Sequence, residues 1–335
     1  MRLGIDILEN ELIQNLPGIL DILLKDCTTG ENIFWATENY SHLGASYSFN
    51  SQIFPEHITG ENGDVIVPRV QKDKILQLSR SKEMAEVFTP SWICNAQNNL
   101  IDTAWFGHEQ MFNKEIVTKS GIKAWRTLEP KITFPKNKSW KDYIKDTRLE
   151  ISCGEAPYIV SRYDTTNGEF IEINNRIGIL DRKLRIVSEN VDSIDEWLLF
   201  TTQAYKSTYA FEWQGDSLLL AREAMLITFI ENFNYKFDSE PDMQSIEEIA
   251  SIIAWNVWQM DGLKGTIPKS CQVTEKISSD LFGNSEKEVQ QCRGCETQNI
   301  HAHNGIYSLI MDWDKMNEST GKKGVPVRFV DMIKK

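Results

Sequence analysis

Between Arg148 and Gly262, short apolar runs alternate with long segments of helical period, and this alternation restricts the fold more than any other feature of the chain. "RLEI" and "TYAFEW" are strand-length, whereas "SIDEWLLFTTQAYKS", "SLLLAREAMLITFIENF" and "IEEIASIIAWNVW" carry apolar residues at helical spacing. Strands that run in the same sense need a crossover, usually a helix. The pattern therefore predicts an α/β domain on a largely parallel sheet.

Upstream, Ile5, Ile7, Leu8, Leu12 and Leu16 form a helical stripe that Pro17 interrupts before "ILDILL". "TTGENIFWAT", "YSHLGASYSF" and the run ending at Pro68 are expected as short strands between Gly and Asn turns. "QKDKILQLSRSKEMAE" and "SWICNAQNNLIDTAWF" return to a helical period, the second starting just after Thr89-Pro90. No apolar run is long enough to span a bilayer, and the opening "MRLGIDILENELIQNL" is acidic and amphipathic rather than basic then apolar. A cytoplasmic chain with no membrane partner is expected.

Thirty-six basic side chains face 48 acidic ones, a formal net charge of -12, so most of the surface does not attract a polyanion. Any contact with DNA must use a local patch or a partner. The best patch is "KITFPKNKSWKDYIKDTR", where Lys131, Lys136, Lys138, Lys141 and Lys145 interleave with Phe134, Trp140 and Tyr143. A solvated loop and helix face explains the same residues.

"LEISCGEAPYIV" offers a strand end, a tight loop of small residues at Ser152, Gly154 and Ala156, and a helix start with Pro157 early in it. Small residues let a ligand approach the backbone, and a helix N-terminus favours a carboxylate or phosphate. A structural strand-to-helix turn fits equally, and the loop is not G-x-G-x-x-G. Glu212 follows at the end of the next strand, where a carboxylate can bind ribose hydroxyls, and Asp261 ends "IIAWNVWQMD".

The order "AEVFTP", "LEISCGEAPYI", "YAFEWQGDSLLLARE", "NVWQMDGL" resembles the N6-adenine DNA methyltransferases of restriction-modification systems whose cofactor motifs precede the catalytic motif. "AEVFTP" is similar to that family's Gly-Glu-Val-Phe-Thr-Pro element, with Ala85 in place of Gly, and "EISCGEAPYI" to its Asp/Glu-Pro-Ala-Cys-Gly-Ser-Gly-x-Phe-Leu loop, with Ile151 and Ala156 in place of Pro and the second Gly. The resemblance implies a Rossmann-like class I fold and an S-adenosylmethionine site. Thr89, Pro90, Glu150, Cys153, Gly154 and Ala156 would line it, with Glu212 at the ribose and Asp261 at the adenine.

The family's catalytic Asn-Pro-Pro-Tyr loop holds the N6 of a flipped adenine and stacks on its ring. This chain contains no Pro-Pro. Asn304 and Tyr307 in "HNGIYS" have the right separation for a weak catalytic candidate, yet Gly305 and Ile306 lie between them. "VPVRFVDMIKK" resembles the family segment shortly before the catalytic strand, so the chain is expected to be the cofactor half, with a partner subunit supplying the catalytic loop and target recognition on DNA. A non-catalytic interaction protein is the alternative.

Six cysteines without a secretion signal do not suggest a disulfide framework, and three fall together near the C-terminus. Cys292-x-x-Cys295 is a metal-knuckle spacing, Cys271 adds a third thiolate, and His301 or His303 a fourth ligand for structural zinc. No His-x-Glu precedes the pair as a zinc deaminase requires. His42, His57 and His108 lack partner spacing. The expected division is an N-terminal α+β extension (1–80), a methyltransferase-like domain (81–268), a zinc-binding insertion (269–310) and a C-terminal strand and helix (311–335).

Overall fold

The computed structural model describes residues 4–5, 9–72, 74–83, 89–279, 285–318, 321 and 323–333. Residues 85–88 of "AEVFTP" lie outside the described residues. Its strands are β1 (Asn113–Val117), β2 (Lys123–Thr127), β3 (Arg148–Ile151), β4 (Thr208–Glu212), β5 (Val257–Gln259), β6 (Thr274–Ser279), β7 (Ser285–Gln290), β8 (Leu309–Met316) and β9 (Lys323–Arg328). β3, β4 and β5 form the expected parallel sheet in that order, with Ile151 opposite Phe211 and Glu212 opposite Gln259. The other pairs are antiparallel hairpins, β1–β2, β6–β7 and β8–β9.

Two helices make each crossover. Ile179–Asn190 and Ile194–Lys206 lead from β3 to β4, and Gly215–Phe237 and Met243–Asn256 from β4 to β5. The run Gly215–Phe237 is apolar on nearly every side and is buried from Gly215 through Ile230, as expected of a helix enclosed by other elements. Arg222 in it is fully buried and donates to the carbonyls of Leu23, Lys25, Ala254 and Val257. One guanidinium thereby satisfies carbonyls around the ends of two helices that would otherwise be orphaned. Lys183, also fully buried, donates to Asp146 O, Ser207 O and Ser207 Oγ, tying its helix to the approaches of β3 and β4. Burial holds its ammonium well below the usual lysine range.

Among the described residues of 9–83 none forms a strand, contrary to expectation. They hold short helices, turns and two isolated bridges, Lys25 to Asn32 and Phe34 to Gln52. Ile33, Trp35 and Ile53 are buried in the same core as Leu219 and Val257, so the extension packs onto the main sheet and helices rather than building its own sheet. The Gln259 side chain stands in for a neighbouring strand, accepting from Phe34 N (3.1 Å) and donating to Phe34 O (2.8 Å). Gly215 is required at this crossing, since a Cβ there would lie 2.2 Å from Phe34 O.

"RLEI" is a strand but not a buried one. It is the sheet edge, with Leu149 44% and Ile151 68% exposed. The helix expected at Pro157 is also absent. Ser152, Gly154 and Ala156 all take left-handed φ (49°, 54° and 57°), which breaks any helical run, and the first α-helix after β3 begins at Ile179.

The Lys-rich segment turns its aromatic rings inward. Tyr143 is buried and donates to Asp102, Phe134 and Tyr143 meet Trp105 edge-on, and Trp140 packs on Phe200. Lys138 and Lys141 lie over the rings of Trp105 and Phe200. This favours the solvated-face reading, because none of the three rings is left to stack on a base. Among the described residues, no helix is long and apolar enough to cross a membrane.

Candidate functional site

The carboxyl ends of the three parallel strands bring together most of the residues singled out in the sequence. Open α/β sheets bind ligands outside such ends. Glu212 closes β4 and clasps the loop after β3: its Oε2 accepts from Gly154 N at 2.9 Å, and its Oε1 from Trp213 N (2.8 Å) and Gln214 N (3.2 Å). Burial raises its carboxyl above the usual range despite these three donors. Cys153 is buried beside it, and burial pushes its thiol well up.

Glu150, in β3, behaves differently. It is half-buried as a residue, yet Oε2 is buried and has no hydrogen-bond partner, while Oε1 accepts a long bond from Tyr158 N (3.4 Å). Burial pushes its carboxyl up to about 8, against the nearby backbone N–H groups of Tyr158 and Ile159, the second of which is already bonded to Ala156 O. Thr89 and Pro90 open the helix Ser91–Phe106, whose first half is bonded to the segment after this loop: Ser91 N donates to Asp164, and Asn98 Nδ2 to Tyr158 O. Cys94 sits close enough that Glu150 contributes to raising its thiol, after burial, to about 12. Ala156 is fully buried and donates to Cys153 O, so it shapes the loop from inside.

Asp261 lies two residues past β5, beside Met260, whose N–H donates to Glu212 O. Its Oδ1 accepts from Leu263 N (3.0 Å) and Lys264 N (3.3 Å), and its Oδ2 pairs with Lys264. Oδ1 thus closes the residue's own turn.

That turn runs directly into a second cluster. Ligand atoms of Cys271, Cys292, Cys295 and His303 all lie within 4.8 Å of one another. His303 Nδ1 is 3.5, 3.6 and 3.7 Å from the sulfurs of Cys271, Cys292 and Cys295. A tetrahedral zinc with Zn–S near 2.3 Å and Zn–N near 2.0 Å spaces sulfur and nitrogen about 3.6 Å apart. The four side chains therefore fit a structural zinc ion, with His303 rather than His301 as the nitrogen ligand. Burial would raise the Cys292 thiol, but N–H donors from Asn304 and Cys295, with His303 and Cys271, bring it down to about 6. Its anion is the form a metal takes.

Glycines make this approach possible. A Cβ on Gly294, inside the knuckle, would lie 2.6 Å from His303 N, and one on Gly305 would lie 2.6 Å from Ser270 Oγ and 3.1 Å from Cys271 Sγ. Asn304 and Tyr307 belong to the same loop. Asn304 bonds both backbone groups of Gln272, while Tyr307 Oη accepts from His303 N and donates to Ile300 O. Both side chains are hydrogen-bonded within the metal loop. A hydrogen-bonded seam then joins loop and sheet: Ile267 N to Ile306 O, Ser308 N to Gly265 O, and Ser308 Oγ to Gln259 O.

Some residues of the site carry no cue in the sequence. Cys94 beside Glu150 and Asp164 at the start of its helix have no local motif. Nor does Asp216, fully buried with Arg80, Lys72 and Tyr40 around it, which hold its carboxyl well below the usual range against the cost of burial. No family model, curated protein or solved structure matches the chain.

Proposed function

We propose that the chain binds S-adenosylmethionine at the carboxyl ends of β3 and β4, as the cofactor subunit of a DNA adenine N6-methyltransferase whose catalytic loop comes from a partner. The observation that carries this reading is the unpaired, buried Oε2 of Glu150 beside the Gly154 loop. An orphaned carboxylate oxygen costs free energy unless a donor reaches it, and the α-ammonium of the cofactor's methionine end is such a donor. Three backbone N–H groups take three of the roughly four acceptor sites of Glu212, which leaves one, on Oε2, for a ribose hydroxyl. When bound, the cofactor supplies an electrophilic methyl group; the chain's own residues hold it and exclude water. Asp261 has Oδ1 closed on its own turn, which leaves Oδ2, paired with Lys264, as the acceptor for the adenine amino group that the family resemblance assigns to it.

A calorimetric titration with S-adenosylmethionine tests the reading. Binding to the wild type that is lost in Glu150→Gln and Glu212→Ala supports it; a flat titration, repeated with a partner that carries an Asn-Pro-Pro-Tyr loop, sinks it.

The non-catalytic reading has its own support, since Glu212 already accepts from three backbone N–H groups and the chain has no Pro-Pro. A methylation assay on DNA with the same partner separates the two.

A further inference from the structure

We infer that the cavity between the β1–β2 hairpin and the helix Ile179–Asn190 is a second ligand site, built for the base of a neutral pyrimidine nucleoside. The cavity has a volume of about 1320 Å³, and its other walls are the segment 164–176 and the end of the helix Gly215–Phe237. Glu150, Gly154 and Glu212 do not line it. The inference therefore stands on this cavity and does not use the cofactor reading.

Three buried side chains that line the cavity each hold one polar atom that no group among the described residues meets: Arg176 Nη1, Asp181 Oδ1 and Arg182 Nε. The rest of each side chain is tied down. Arg176 pairs with Glu231 through Nη2 and donates from Nε to Ile171 O, while Arg182 pairs with Asp102 and donates to Asn95 and Asn99. Asp181 Oδ2 accepts from Ser161 N, Ser161 Oγ and Gly178 N. Burial raises the Asp181 carboxyl, but Arg176 and those donors oppose the rise. A buried polar atom without a partner costs free energy, so three of them fixed in place favour a ligand that meets them. Two donors and one acceptor on the protein call for two acceptors and one donor on the ligand. The pairing edges of uracil and cytosine present that count, whereas adenine offers one acceptor with one donor and guanine one acceptor with two donors.

Two aromatic side chains of the lining, Trp125 and Tyr235, are held by their polar ends. Trp125 Nε1 donates to Asn175 O at 2.8 Å, and Tyr235 Oη accepts from Asn174 Nδ2 at 2.7 Å. Their ring faces are unclaimed: Lys123 covers Trp92, Arg182 and Arg185 cover Phe112 and Arg162 covers Phe170, whereas among the described residues neither ring nor cation stacks on Trp125 or Tyr235. Flat bases stack on such faces. Charge then decides between nucleoside and nucleotide. Acidic and basic side chains line the cavity in equal number, and Glu231, Asp102 and Glu189 already answer Arg176, Arg182 and Arg185. The lining thus holds no surplus of positive charge for a phosphate, alone or in a strand.

Calorimetric titration of the full chain with uridine, cytidine, adenosine, guanosine and uridine 5′-phosphate to millimolar concentration, with and without S-adenosylmethionine, tests it. The better of the two pyrimidine nucleosides should bind at least about tenfold tighter than either purine nucleoside, and uridine 5′-phosphate no tighter than uridine. S-adenosylmethionine should not displace it. Tyr235→Ala, at a residue 59% exposed, should weaken the pyrimidine about tenfold with an unchanged melting temperature, and Trp125→Ala should weaken it as much. Asp181→Asn keeps an oxygen for Ser161 and Gly178 while turning the free acceptor into a donor, and should also cost at least about tenfold. Purines bound as tightly as pyrimidines, a phosphate that tightens binding, equal affinity in Tyr235→Ala and Trp125→Ala, or displacement by S-adenosylmethionine overturns the inference. So does a flat titration, since water would then meet the three atoms. A chain that takes the pyrimidine but not S-adenosylmethionine leaves this site standing; the reverse overturns it while the cofactor reading stands.

Discussion

At the scale of single residues, two atoms set the strongest expectations. Glu150 Oε2 is buried without a partner, and its carboxyl is raised to about 8 from an ordinary 4.5. A group whose folded pKa is raised binds more protons in the native state, so its contribution is complete below the unfolded pKa and is lost as pH rises through the folded one. The ligand-free chain should therefore lose stability between about pH 4.5 and pH 8. Glu150→Gln should flatten that slope and add about 1–3 kcal/mol at pH 8 in urea unfolding. An unchanged slope would mean that the carboxylate is solvated. The second atom is the missing Cβ of Gly294. Gly294→Ala forces a carbon to 2.6 Å from His303 N, a backbone atom that cannot swing away. Zinc affinity, read by competition with a chromophoric chelator, should fall about 10- to 100-fold.

At the scale of elements, Asn256 at the end of its helix connects three pieces of the fold. Its Nδ2 donates to the carbonyls of Tyr205, Lys206 and Thr208, and its Oδ1 accepts from Trp313 in β8. Asn256→Ala removes these bonds at a buried or half-buried place and should cost about 2–4 kcal/mol by urea unfolding, with β8 showing the largest rise in hydrogen exchange. Elements with a strong local pattern were legible in the sequence: the helix Ser91–Phe106, the strand Thr208–Glu212 and the long helix after it lie where their periodicity puts them. The errors came where distant residues decide. "NIFWAT" has strand composition, but Gln259, 225 positions away, takes the backbone of Phe34. Left-handed φ at Ser152 and Ala156 denies a helix that Pro157 would allow. Within the site, Cys-x-x-Cys announces a metal knuckle by spacing alone, whereas the choice of His303 over His301 and the clasp of Glu212 on Gly154 depend on contacts that no spacing encodes.

At the scale of the whole molecule, the metal cluster and the sheet form one mechanical path. Residues 261–271 leave β5, close the Asp261 turn and deliver Cys271 to the cluster; His303 returns the chain through the seam to Ser308, whose carbonyl accepts from Phe329 N. Zinc held by three thiolates and an imidazole would fasten this loop, and through it the β8–β9 cover, to the end of the sheet. Binding that favours the folded state adds RT ln(1 + [L]/Kd), about 2.7 kcal/mol at a hundredfold excess over Kd. Chelation should therefore lower the melting temperature by several degrees while the helices behind β3–β5 keep their circular dichroism. Exchange should quicken in residues 261–271 and 303–309 before it does in β4, whose five residues are nearly all buried. Because thiol protons must leave for zinc to bind, the gap between zinc-loaded and chelated protein should narrow as pH falls. Equal melting temperatures with and without chelator at pH 8, on protein shown to carry one zinc per chain, would separate the metal from the fold.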